Sequence, residues 1–349
     1  MQNFRTLPER IHCGLFQNTA RARTEPGDTA DRRRVGVARV LNLVGMITIS
    51  LTVSAGYVAT AEAAEISFDS ARAYGYLKSV CAIGRRVSGS EGMQRQQSLL
   101  IRHFQKLGAD MKAQRFDVPH PVTGSPVRMT NLVVSFDPSA QQRVLICCHY
   151  DTRPYPDRDI LRPRGTFIGA NDGASGVALL MELGNQMRTI KPRYGVDFIF
   201  FDGEELVFND GDPYFLGSEH FSRWYAAAKP GYRYVAGVLV DMIGDRSLQL
   251  SMEKNSFQKA PAVTRSVWSV AKRLRVREFI GRVKHEVRDD HLALNDIAGI
   301  PTCDIIDFDY RYWHTTRDTP MQCSAASLGK VGRVLLHWMV EVPIDRQQP

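Results

Sequence analysis

Residues 195–205 read GVDFIFFDGEE, a nearly unbroken apolar run that a glycine interrupts and two adjacent carboxylates close. A continuous β-branched and aromatic run of this length suits a strand covered on both faces, as in a parallel sheet flanked by helices. Two other stretches share the form and the ending. RVLICC (143–148) runs into His149 within CHYD, and VAGVLV (235–240) runs into Asp241 within LVDMIGD. Residues 301–306 predict another strand, and 112–118 and 131–135 alternate as partly exposed ones. Helical patterns lie between them. One covers about 66–108, where Leu99, Leu100, Ile101, Phe104 and Leu107 follow the helical repeat and Gly108 offers a stop. Others open at Asp172-Gly173, at GSEHFSRWYAAA (217–228), over 261–274, over a short stretch from Asp289 to Asp296, and over 324–340. No internal repeat or interdomain linker interrupts this alternation. The expected fold is a single α/β domain over residues 65–343, with a mixed, mostly parallel sheet sandwiched by helices.

The chain has 349 residues, with 44% apolar and 23% charged side chains, which argues against disorder. Its net charge is +8. Residues 1–64 hold eight Lys/Arg and five Asp/Glu, leaving 37 against 32 for the remainder. That mild excess lacks a basic-aromatic stripe, so nucleic acid is not an expected partner. Arg32, Arg33, Arg34 and Arg39 precede an apolar run over 41–59, and small residues follow at Ala59-Thr60-Ala61 and Ala61-Glu62-Ala63. A basic segment, an apolar segment and an A-x-A site predict an export signal within an N-terminal extension, 1–63, and hence a periplasmic or secreted protein. The run is near the ~20 residues that span a bilayer, so a membrane anchor is the alternative if the signal is not cleaved. Gly45, Thr48, Ser50, Thr52, Ser54 and Gly56 make it a poor anchor. Beyond Cys13 the cysteines number five, with no C-x-x-C pair, and are expected as unpaired structural thiols.

Each buried strand ends on a metal-type ligand. His149 closes one, Glu204-Glu205 another and Asp241 a third, while Asp172 lies in GANDGASG and His314 in YWHTT. An isolated Asp or His after a strand is usually a cap or a satisfied polar group. Five in this order, with a spare carboxylate, point to a borderline cation such as zinc held in a strand-end crevice. A catalytic zinc takes three protein ligands, which Asp172, Glu205 and His314 would supply. Neighbouring side chains diverge, so Glu204 cannot join Glu205 on the metal and is the candidate for moving protons. His149 and Asp241 either hold a second ion, with Asp172 as the bridge, or orient the first set. Asp151, two residues after His149, is a further supporting carboxylate. Asp289, in Asp289-Asp290-His291, reads either as a helix N-cap or as a carboxylate sharing a proton with Asp241 or Glu204. Trp313 reads either as a pocket wall beside His314 or as core. His220, His285 and His337 lie on polar or helical faces and are not expected as ligands.

With HYD, ND-G, FFDGEE, D-x-I-G and WHT in this order, residues 70–340 resemble the zinc exopeptidase superfamily. That superfamily contains co-catalytic aminopeptidases and animal-type glutaminyl-peptide cyclotransferases. The resemblance implies a mixed sheet sandwiched by helices and peptide or protein N-termini as substrates. It implies zinc on Asp172, Glu205 and His314, with a second zinc on His149, Asp172 and Asp241 in the aminopeptidases alone. DDH before an apolar helix, Trp-His-Thr and LxDxIG tilt it toward the cyclotransferases and one zinc. There Asp289 would hydrogen-bond with Asp241, Glu204 would pass the proton, and Trp313 would line the substrate pocket. Two departures stand out. Asp210 lies near the place where the animal enzymes carry a second pocket Trp, and Val177 replaces the partner Cys of their disulfide.

Overall fold

Valine, isoleucine and phenylalanine crowd the central strands because both faces of the sheet are covered. The computed structural model describes residues 66–342 and the two-residue strand Glu9–Arg10. The predicted signal and its apolar run, 41–59, lie outside the described residues. In chain order the elements are β1 (Glu9–Arg10), α1 (Ser70–Cys81), α2 (Glu91–Lys106), β2 (Asp110–Pro119), β3 (Pro126–Ser135) and β4 (Gln142–His149). Next come α3 (Ala174–Gln186), β5 (Gly195–Phe201), α4 (Leu216–Ala228), β6 (Arg233–Asp241) and β7 (Leu250–Met252). The chain continues through α5 (Lys254–Lys259), α6 (Pro261–Arg273), β8 (Phe279–Val283), α7 (Asp290–Asp296), β9 (Thr302–Ile306) and α8 (Ala325–Glu341).

The main sheet has the order β1-β2-β3-β5-β4-β6-β9. β4 pairs in parallel with both β5 and β6, and β6 with β9, while β3 pairs antiparallel with β5 and with β2. Strands β2, β4, β5, β6 and β9 therefore run one way, β1 and β3 the other: a mixed, mostly parallel sheet. Along β4 the faces alternate. Val144, Ile146 and Cys148 join the core beneath α1, α2, α3, α6 and α8, and Leu145 and Cys147 pack toward α4 and α7. Fully buried Phe198 and Phe200 on β5 belong to the first core, each contributing about 1.5–3 kcal/mol by leaving water.

The long helix expected over 66–108 is two helices. Asp69 caps α1 by accepting from Arg72 N, and Ser90 caps α2 by accepting from Met93 N. Between them Gly84 and Gly89 take positive φ, which ends one helix and redirects the chain into the next. Buried Arg86 fills that break and donates to the carbonyls of Gly84, Ile168 and Gly169. The pair β7–β8 and the six-residue α5 were not expected from the sequence. Cys81, Cys147, Cys148, Cys303 and Cys323 are buried free thiols. Among the described residues, no helix is long and apolar enough to cross a membrane.

Candidate metal centre and active site

β4 lies between β5 and β6, so the chain leaves it toward one neighbour and later returns to the other. In parallel sheets such a reversal of strand order opens a crevice at the carboxyl ends. His149 is the last residue of β4 and Asp241 the last of β6. Glu204 and Glu205 follow β5, Asp172 precedes α3, and His314 lies in the loop after β9.

The fold brings these six residues together. His149 Nε2 is 3.2 Å from Asp172 Oδ1 and 3.2 Å from Asp241 Oδ1. His314 Nε2 is 2.8 Å from Glu205 Oε1 and 3.5 Å from Asp172 Oδ2. Three sets each offer ligand atoms within 4.8 Å of one another: Asp172 with Glu205 and His314, Asp172 with His149 and Asp241, and His149 with Glu204 and Glu205. Asp172 belongs to the first two. Its Oδ2 is buried and accepts no hydrogen bond, a costly state that a cation relieves. Two carboxylates and an imidazole, each with an atom facing one point, fit a zinc ion.

Local geometry aims these groups. Gly173 has φ +90°, and a Cβ there would lie 2.9 Å from the Asp151 carbonyl and 3.1 Å from His149 Cε1. Met242 and His314 adopt φ +48° and +53°, left-handed backbone that non-glycine residues seldom take. Asp151 Oδ1 accepts from Glu204 N at 3.2 Å and Oδ2 from Glu205 N at 3.0 Å, which fixes the turn after β5. Asp151 Oδ1 also lies 3.5 Å from His149 Nδ1. Glu205 Oε2 accepts from Arg153 N at 3.0 Å.

Three supporting groups escaped the sequence reading. Asp157 Oδ1 is 3.0 Å from His314 Nδ1 and so orients that ring. Burial opposes ionisation of Asp157, but His314 and the Arg153 guanidinium outweigh it and hold the carboxylate at about 2. Arg153 joins the two by donating to Asp157 Oδ2 at 2.8 Å while lying 3.6 Å from Glu205 Oε1. Asp318 accepts from Asn171 N at 2.9 Å and Asp172 N at 3.1 Å, holding the loop that carries the shared ligand. The only hint for the first two was their place in the long loop after HYD. Asp318 carried none.

Glu204 reaches the crevice from the turn and lies 3.8 Å from His149 Nδ1. Burial pushes its carboxyl well above the usual range, and Glu205, Asp289 and Asp290 add to this against the opposing effect of His149. Burial also raises Asp241, with Asp172 adding to it, although its hydrogen bond with His149 pulls the other way. Asp289 is raised well above the ordinary range by burial and by the charges of Asp241 and Asp290. Asp289 Oδ1 accepts from Asp290 N at 2.6 Å as the cap of α7, while the neighbouring Asp241 acts on it through its charge. The cap read from the sequence for Asp289 is formed. Half-buried Trp313 sits with its ring centroid 4.4 Å from that of His314.

A parallel-sheet crevice of this composition defines a metal-dependent enzyme of the zinc exopeptidase fold. The chain belongs to peptidase family M28, whose model matches residues 131–339. A glutaminyl cyclase structure from Fimbriiglobus ruber is 40% identical, covers 78% of this chain and 95% of its own, and superposes with a TM-score of 0.76. A Zn-dependent exopeptidase from Parabacteroides distasonis is 30% identical over 80% of this chain and 99% of its own, with a TM-score of 0.73. The glutaminyl-peptide cyclotransferase-like protein of Mus musculus is 25% identical over 73% of this chain and 72% of its own. Family and neighbours suggest zinc as the metal.

Proposed function

We propose that this protein is a glutaminyl-peptide cyclotransferase that converts the N-terminal Gln of peptides to pyroglutamate and releases ammonia. One zinc, held by Asp172, Glu205 and His314, serves it. The observation that carries this reading is the group of crowded carboxyls Glu204, Asp241 and Asp289. Burial raises all three, and neighbouring carboxylates add to it, which suits groups that hold and pass a proton. The 40% identity to a glutaminyl cyclase supports it. When bound, zinc supplies Lewis acidity toward a carbonyl oxygen.

The chain's own groups do the rest. The crevice folds the glutamine so that its α-amine reaches its own γ-carbonyl carbon, and this positioning replaces the need for an activated water. A C–N bond forms to the α-amine and the C–N bond to the amide nitrogen breaks. Glu204 takes the proton that the amine gives up and returns it to the departing nitrogen. Asp241 and Asp289 stabilise the tetrahedral intermediate and position Glu204, and Trp313 walls the pocket. A second reading, aminopeptidase, draws on the His149–Asp172–Asp241 set, which offers a second ion a place. There Glu204 would serve as base toward water. Basic residues 32–34 and the apolar run 41–59 support action after export.

Incubating the zinc-loaded protein with a Gln-initiated and a Leu-initiated peptide, followed by mass spectrometry, separates the readings. Ammonia loss from the Gln peptide alone, with one zinc per chain by elemental analysis, is expected. Release of the first residue from the Leu peptide would establish the aminopeptidase instead.

A further inference from the structure

We infer that the mouth of the crevice carries an arginine rim that selects peptides with acidic residues directly after the first. This rests on the N-terminal-peptide reading above and names the substrate class of the same site. Arg158 ties the rim to the metal centre: its backbone N donates to the His314 carbonyl at 3.1 Å. Its guanidinium lies 3.9 Å from the centroid of the Trp313 ring, which itself packs on His314. Arg85 and Arg164 flank the Tyr155 ring at 5.5 and 5.4 Å in the same loop region, and Arg85 also donates to the Pro154 carbonyl. All three arginines are exposed, and none has a carboxylate partner among the described residues.

The acids nearest to them in the loop are already engaged. Asp157 is held by His314 and Arg153. Asp159 accepts from the backbone of Leu161, Arg162 and Thr316. None of these acids pairs with the three guanidinium groups, whose donors stay open to a ligand. Stacking on aromatic faces limits the freedom of the guanidinium groups yet leaves their edges open to a carboxylate fork. With Trp313 packed on His314, a peptide whose first residue lies against Asp172, Glu205 and His314 and that leaves on that side passes Arg158. An extended chain advances about 3.3–3.6 Å per residue, so Arg158 meets its second or third side chain.

The test uses the full-length zinc-loaded chain and three peptides that begin Gln-Glu-Glu, Gln-Ala-Ala and Gln-Lys-Lys. We expect kcat/KM to favour the acidic peptide over the basic one about tenfold at low salt, from two or three exposed ion pairs. The ratio should shrink toward one at about 0.5 M salt. Arg158→Lys should keep most of the preference, whereas Arg158→Glu should reverse it, which a merely structural role would not do. Arg164→Glu gives an independent reversal should the first variant misfold. Calorimetric affinities for the same peptides make the comparison whether or not turnover occurs. Equal handling of all three peptides overturns the rim and leaves the cyclotransferase standing. Release of Leu from Leu-Glu-Glu faster than from Leu-Lys-Lys keeps the rim and removes the cyclotransferase. Binding to vesicles of anionic phospholipid without peptide discrimination would assign the arginines to a membrane and also overturn the inference.

Discussion

Glu204 and Glu205 share a turn and diverge in partners. Glu205 is fixed by Arg153 N and His314, whereas Glu204 faces His149 and the crowded acids. Glu204→Gln should therefore keep its zinc in elemental analysis while turnover falls about 10²–10⁴-fold, the usual share of a positioned proton carrier. Loss of the metal would show that the two glutamates had been exchanged. Away from the crevice, buried Asp307 accepts from Gln249 N and Asp309 N. Burial, then the charges of Asp245 and Asp309, push it up to about 7. The unfolded chain ionises this group near 4, so its contribution to stability is full below that and is lost as pH rises toward 7. Asp307→Asn stays neutral throughout. Relative to the parent, Asp307→Asn should gain melting temperature from pH 4 to pH 8, equivalent to at most about 4 kcal/mol in free energy. A gap that stays constant would show that Asp307 does not titrate in this range. The ligands were legible because His149, Glu204-Glu205 and Asp241 close apolar runs and Asp172 and His314 sit in short motifs that follow them in a fixed order. Asp157 and Asp318 were not, because what they hold lies across the fold and leaves no local pattern.

The elements that build the crevice are those with the clearest patterns. β4, β5 and β6 follow from continuous apolar runs, and α8 from a periodic one with Ser324 as its cap. What the sequence hid is short or interrupted. Residues 82–90 read AIGRRVSGS, a break at Gly84 and Gly89 that the helical repeats on either side overshadow. β7 spans three residues and α5 six, too short for either period to register. The turn into α3 is the most constrained of these junctions. Gly173→Ala should cost several kcal/mol in a denaturant titration, since φ +90° and the Asp151 carbonyl at 2.9 Å both oppose a Cβ. It should also weaken zinc binding, because the strain falls between His149 and Asp172. Unchanged stability and affinity would mean that this turn is free to relax.

At the scale of the molecule, the crevice concentrates negative charge that the chain cannot neutralise alone. Asp172, Glu205 and Asp241 face two imidazoles and, at Glu205, the Arg153 guanidinium, yet Asp172 Oδ2 stays without a donor. Metal therefore binds the folded chain far better than the unfolded one and stabilises it by mass action, about 4 kcal/mol at a thousandfold excess over the dissociation constant. Stripping zinc with a chelator should lower the melting temperature by several degrees, and adding it back should restore the midpoint. A midpoint indifferent to the chelator would argue against a tightly held ion.

The ligands come from separate connections strung between His149 and His314, on strands that meet only after the sheet is assembled. No fragment of the chain owns the site. Metal capture thus works as a certificate of completeness: a molecule nicked, truncated or stalled before β9 docks has no full set of claws to close. A cation that needs the whole set would load only after the sheet has closed around it.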